Sequence, residues 1–187
     1  TFDIADESIA KLLVTRAINL QAWWRLDETN GSTGYEIAGH ENGPYNMLVS
    51  GPTWTIGKFR NGLSFDGTND YAYAIGYKGI TGGNKRTYSF WLKTATAGRG
   101  IMYSGAASGA GSFALTLESN GKLKANYGNG NVLDSTNLAD NAWHQVVFTL
   151  PTAGTVGETQ IYLDGSNDTG TITSGSNAVS TSPTPNL

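Results

Sequence analysis

The sequence predicts an all-β fold, two antiparallel sheets packed face to face, with one short helix leading in. Three observations carry this. Short stretches of alternating apolar and polar residues recur along the chain, Asn-Gly and Asp-Gly dipeptides punctuate them, and Gly is abundant while charge is scarce. The 187 residues include 25 Gly, 20 aromatics and only 14% charged residues, against about 25% charge in an average globular chain. At this length one domain is expected, large enough to bury a core; with Cys at 0 it does so without disulfides.

The elements follow in order. From Asp6 to Leu20, apolar residues fall at Ile9, Leu12, Leu13 and Ala17, with acids in the first turn and Arg16 near the end. That spacing and charge order predict a helix packed on the sheets, so residues 1–21 are expected to form a helical extension and residues 22–187 a single sandwich. Strands are expected at Ala22–Leu26, Leu63–Phe65, Tyr71–Ile75, Thr87–Lys93, Ile101–Ser104, His144–Leu150 and Gln160–Leu163. The clearest hairpin runs from Phe113 to Tyr127. Phe113, Leu115 and Leu117 share one face before Asn120-Gly121, and Leu123, Ala125 and Tyr127 share one after it. The Gly- and Ser-rich segments at Thr94–Gly100 and Gly105–Ser112 read as loops within the one domain.

Composition also removes function classes. A net charge of −3 from 12 basic and 15 acidic residues leaves no basic footprint for nucleic acid. No apolar run approaches the ~18 residues of a membrane span. Without Cys there is no thiol nucleophile or thiolate metal site.

Six segments in this order resemble the laminin-G-like group of the concanavalin A-like lectin/glucanase superfamily. They are Ala22-Trp-Trp-Arg-Leu-Asp-Glu-Thr-Asn-Gly31, Gly62-Leu-Ser-Phe-Asp-Gly-Thr-Asn-Asp-Tyr71, Tyr88-Ser-Phe-Trp-Leu-Lys93, Ser112-Phe-Ala-Leu-Thr-Leu117, Asn141-Ala-Trp-His-Gln-Val-Val-Phe-Thr149 and Gln160-Ile-Tyr-Leu-Asp-Gly165. The resemblance implies a jelly-roll sandwich of two curved antiparallel sheets. Its motif residues read as architecture: Leu63 and Phe65 pointing inward, Asp66-Gly67 and Asp164-Gly165 turning the chain, Trp91 and Trp143 bridging the sheets as core anchors. Beyond Ser180 the chain departs from the family's usual closing strands. That departure predicts a sandwich short of its last strands, whose first strand offers an edge to the helix or to a second copy of the chain.

The resemblance alone fixes no chemistry. Glucanases of the superfamily carry Glu-x-Asp-x-Glu on one strand, and no such run occurs here. Of the carboxylate pairs, Asp27/Glu28 are adjacent and would face opposite sides of a strand, while Glu36/Glu41 and Asp66/Asp70 read as loop acids and Asx turns. The two histidines, His40 and His144, lack a Gly-x-Ser-x-Gly elbow or further metal ligands at a fitting spacing. His144 reads as a sheet residue.

Binding chemistry remains. Structural Ca2+ is the candidate cofactor, since it takes six to eight oxygens from Asp, Asn and carbonyls. Asp27, Asn30, Asp66 and Asp70 are its candidate ligands, and Asp164–Asp168 is a further acidic loop. Sugar recognition pairs aromatic platforms with polar side chains, which points to Tyr45, Tyr77, Arg86, Tyr103, Asn126 and Tyr127; Trp54 reads as structural. The expected function is a non-catalytic recognition module of an extracellular, cell-surface or virion-associated protein. Its expected partner is a glycan or glycoprotein surface. The alternatives are a structural or adhesive domain without a small ligand and, behind it, a glycoside hydrolase.

Overall fold

The computed structural model describes residues 19–39, 44–106, 108–151 and 154–183. The helix expected over 6–20 lies outside them except for its last two residues, as do His40 and Glu41. Contacts divide the chain into two compact units, Thr1–Tyr77 and Lys78–Leu187.

In the first unit the strands are β1 (Thr33–Gly34), β2 (Met47–Ser50), β3 (Thr53–Ile56), β4 (Asn61–Ser64) and β5 (Tyr71–Ala74). They form a three-stranded sheet in the order β1-β2-β5 and a separate β3-β4 hairpin. The strand expected at Ala22–Leu26 reduces to one bridge, Trp24 to Glu36, because Leu26 takes a φ of 55° that no strand accommodates. The two strands expected near Leu63 and Tyr71 exist, but each pairs elsewhere: Leu63 lies opposite Trp54, and Tyr73 opposite Leu48. Phe65, expected inside, is exposed, because β4 ends at Ser64 before reaching it.

The second unit holds β6 (Arg86–Lys93), β7 (Arg99–Gly105), β8 (Ser112–Leu117), β9 (Lys122–Asn126), β10 (Asn131–Asn137), β11 (Trp143–Leu150), β12 (Gln160–Leu163), β13 (Ser166–Asn167) and β14 (Thr169–Thr173). A five-stranded antiparallel sheet runs β14-β10-β9-β8-β7, and a four-stranded one runs β13-β12-β11-β6. Alternation puts Phe113, Leu115 and Leu117 of β8 and Leu123 and Ala125 of β9 on the inner face of the first. Val146, Phe148 and Leu150 of β11, with Ile161 and Leu163 of β12, line the inner face of the second. These residues form one buried cluster, so the unit is a β-sandwich.

Phe113 sits at its centre, with ring centroids 5.4 Å from Tyr88, 5.3 Å from Tyr127 and 5.1 Å from Phe148. The β8–β9 turn requires its glycine: Gly121 has φ 77°, and a Cβ there would lie 1.8 Å from Asn137 Oδ1.

Candidate functional site

The outer face of the four-stranded sheet is set by the same alternation that builds the core. In β6, Tyr88, Phe90 and Leu92 pack on the buried cluster. Thr87, Ser89, Trp91 and Lys93 therefore point the other way, and all four are exposed, Trp91 by 36%. On β11, where Val146, Phe148 and Leu150 are buried, the outward residues are Trp143, Gln145, Val147 and Thr149. On β12 they are Gln160 and Tyr162.

Register assembles these into rows. Trp91 lies opposite Gln145; Val147 lies between Ser89 and Tyr162; Thr149 lies between Thr87 and Gln160. Asn167 of β13 continues the row beyond Tyr162. The Tyr162 hydroxyl donates to Gln160 Oε1 at 2.6 Å, which fixes both side chains. The face thus joins three aromatic rings to amides and hydroxyls, and its charge is confined to one edge, at Lys93.

Trp91 and Trp143, expected to bridge the sheets, stand on this outer face instead. The reason is parity, since three apolar neighbours of Trp91 already take the inward positions of β6. Gln145 and Tyr162 were not recognisable as site residues without the pairing. The alternation Tyr88-Ser-Phe-Trp-Leu-Lys93 did contain the signal, because Trp91 shares its phase with Ser89 and Lys93.

An ion-paired clasp lies at the Trp143 end of β11, with His144 in the strand phase opposite to Trp143 and Gln145. His144 Nδ1 lies 2.7 Å from Asp164 Oδ2, and its Nε2 lies 3.1 Å from Asp140 Oδ1. The backbone N–H of Gln145 donates to Asp164 Oδ1 at 2.8 Å, and the Ala142 N–H to Asp140 Oδ1 at 2.8 Å. Trp143 is held between these two anchored residues. The hydrogen bond to Asp164 leads a set of contacts that raise the His144 pKa above its ordinary 6.5 despite some desolvation.

The candidates taken from single residues have other roles. Tyr127, expected as an exposed platform, is a core ring 1% exposed. Its hydroxyl lies 2.8 Å from Thr159 Oγ1, and burial pushes its pKa to about 12. It shares the inward phase of Leu123 and Ala125, so burial claims it. Arg86, also a ligand candidate, is 4% exposed. It donates to Asn84 O at 2.9 Å, Thr181 Oγ1 at 2.8 Å and Gly82 O at 2.5 Å, a clamp between its own strand's approach and the 181 segment.

Asn126 spends its carbonyl on the Gly128 N–H at 2.7 Å, shaping the turn after β9. Tyr103 is exposed and donates from its hydroxyl to Ala106 O. In the first unit, Tyr45 and Tyr77 come together with ring centroids 5.2 Å apart, and Trp24 meets Tyr77 edge-on at 5.4 Å.

Each calcium candidate has a partner within the protein. Asp27 Oδ2 accepts from Arg25 at 2.5 Å and from Arg60 at 3.4 Å, and these guanidiniums take the place of a cation. Asp66 Oδ1 accepts the Thr68 and Asn69 N–H groups, and Asp70 Oδ2 accepts the Asp66 N–H, so that loop is an Asx-type turn. Asn30 donates to Thr29 Oγ1 at 3.2 Å. Among the described residues no three His, Asp or Glu side chains converge as metal ligands would.

One acid outside the sequence-derived candidates is buried. Asp134 on β10 is 1% exposed. Its Oδ1 accepts the Leu123 N–H at 2.8 Å, at a bulge where the β9–β10 ladder shifts register. Its Oδ2 has no hydrogen-bond partner. Desolvation, with Asp168 nearby, raises its pKa to about 7.

With fold and geometry in hand, comparison with known proteins places the chain. A laminin G family model, described as the concanavalin A-like lectin/glucanases superfamily, matches residues 66–186. The chain belongs to this superfamily. Its match spans β5 and every strand of the sandwich unit. No curated protein gives a significant match. A similar solved structure is that of an S-layer domain-containing protein, residues 221–444, from Clostridium thermocellum ATCC 27405. It is 25% identical at a TM-score of 0.49, covering 78% of this chain and 69% of that one.

Proposed function

We propose that this superfamily member is a non-catalytic carbohydrate-recognition module of a surface-exposed or extracellular protein. One observation carries the reading: the outward set of Trp91, Gln145, Trp143 and Tyr162, spread over neighbouring rows of a rigid sheet whose opposite face is a sealed core. Pyranose rings offer an apolar C–H face and equatorial hydroxyls. Aromatic rings take the first, as amphipathic bodies with large contact area. Amides and hydroxyls take the second, because each supplies both donors and acceptors. A face built on paired strands holds these groups without loop ordering, which lowers the entropy cost of binding.

Three carboxylates that the sequence pairs as acid candidates have structural tasks, which supports a non-catalytic reading. Asp27 pairs with arginines, Glu28 accepts the Tyr35 N–H, and Glu36 accepts the Trp23 and Ala38 N–H groups.

The test is binding to a glycan array by wild type and by Trp91→Ala, with circular dichroism to confirm the fold. The expected result is retention of wild type on a subset of glycans and loss of about tenfold in affinity for the variant. Absence of binding to every glycan, or a variant that binds as well as wild type, overturns the reading.

A further inference from the structure

We infer that the outer face of the four-stranded sheet takes a neutral, extended polysaccharide chain laid diagonally across its strands, and not an acidic glycan. This rests on the carbohydrate reading above and goes beyond it in naming the class of ligand.

The first argument is charge. Between Thr87 on β6 and Asn167 on β13, the outward side chains are hydroxyls, amides, aromatic rings and Val147. Lys93 stands alone at one corner, beside Trp143 in the register. At the same end, Asp164 presents a carboxylate already committed to His144 and to the Gln145 N–H. Recognition of sulfate or uronate needs clustered Arg or Lys to replace lost hydration. This face has no such cluster among its described residues, and the chain's net charge of −3 repels a polyanion. Neutral hydroxyls are matched by Gln145, Gln160 and Asn167 without any charge to desolvate.

The second argument is spacing. Trp91 and Tyr162 lie on strands two apart, and their register positions, opposite Gln145 and Val147, differ by two residues along the strand. Strand separation and rise put their Cα atoms roughly 12 Å apart on a diagonal. That is too far for one sugar ring to touch both and fits a chain of several. Trp143 extends the aromatic positions toward the other end of β11. A monosaccharide would meet one ring; an extended chain meets several in turn.

The experiment is isothermal titration and affinity electrophoresis of the 187-residue chain against a soluble neutral β-glucan, its short oligosaccharides, heparin and polygalacturonate, each at low and high salt. Neutral polymer is expected to bind with affinity independent of salt, because no ion pair forms. Affinity is expected to rise with oligosaccharide length. Tyr162→Ala and Trp91→Ala each weaken it about tenfold.

Binding confined to the acidic polymers, falling steeply with salt, overturns the neutral-ligand inference and leaves the carbohydrate reading standing. An affinity that does not rise with oligosaccharide length overturns the extended-chain part. Failure to bind any of the four defeats the inference, and with an empty glycan array it defeats the carbohydrate reading as well.

Discussion

The two units of this chain are held by different physics. In the Lys78–Leu187 unit, Phe113, Leu115, Leu123, Val146, Phe148 and Leu150 are all inaccessible to solvent, and two sheets close over them. In the Thr1–Tyr77 unit, Val49 and Ala38 are the buried apolar side chains among the described residues, while Ile56 is 84% exposed and Tyr71 52%.

Polar side chains do much of the work in that first unit. Asn46 Oδ1 accepts the Glu36 N–H, Trp54 Nε1 donates to Gly31 O at 2.8 Å, and Asn61 Nδ2 donates to the carbonyls of Asp27 and Glu28. Burial rewards a residue by the area it hides, about 25 cal/mol per Å2. A single hydrogen bond returns only about 1 kcal/mol net. Stability should therefore be concentrated in the sandwich unit.

The largest expected effect comes from emptying that core. Phe148→Ala removes a ring at the centre of the aromatic cluster and should cost about 3–5 kcal/mol. Val49→Ala, the parallel truncation in the first unit, should cost about 1–2 kcal/mol. Denaturant unfolding followed by hydrogen exchange in each unit measures both. Equal costs would erase the contrast between the units.

A smaller effect tests a polar flaw in the sandwich. Asp134 has a folded pKa of about 7, above the 3.8 of the unfolded chain, so folding binds a proton between those values. The contribution of Asp134 to stability is then highest below about pH 4, falls as pH rises toward 7 and is flat beyond. Asp134→Asn keeps an acceptor for the Leu123 N–H and removes the buried charge. It should stabilise the protein by on the order of 2 kcal/mol at pH 8 and lose that advantage at pH 4. A pH-independent difference between variant and wild type would show that the carboxylate is solvated in the fold.

The smallest effect has the opposite sign. His144 is raised by its two aspartates, so its contribution is complete below the unfolded pKa of 6.5 and is lost as pH rises through the folded value. Solvent screening keeps it under about 1 kcal/mol. His144→Gln should be less stable than wild type near pH 5.5 and match it in alkali, as thermal melts across pH would show. A deficit that grows with pH would contradict the ion-paired geometry.

Legibility in the sequence followed the regularity and motif content of each element. The Phe113–Tyr127 hairpin was readable because six apolar residues alternate around one Asn-Gly turn, and Leu117 does lie opposite Leu123. The same pattern placed Tyr127 in the core, against its assignment as a ligand platform. β2, β3 and the longer β10 escaped because none of them carries one of the motifs that flagged the short β4, β5 and β12. Asp134 could not be found from sequence. Nothing local distinguishes it from a loop acid until β9 pairs with β10 and brings the Leu123 N–H to its carboxylate at the shift in register.

Local pattern was enough to specify an all-β chain, because alternation and turn chemistry act over a few residues, and the resemblance of six ordered motifs pointed to the concanavalin A-like superfamily. Which way a tryptophan points in an apolar strand is a different kind of fact. Trp91 and Phe90 are both large and apolar, and volume alone would bury either. The choice was made when β6 aligned with β11 and turned Tyr88, Phe90 and Leu92 onto Phe113 and Phe148. A shift of one residue would exchange every side chain between core and solvent. The outer face therefore exists only through long-range pairing, and with it the rows that bring Trp91 to Gln145 and Tyr162 to Val147.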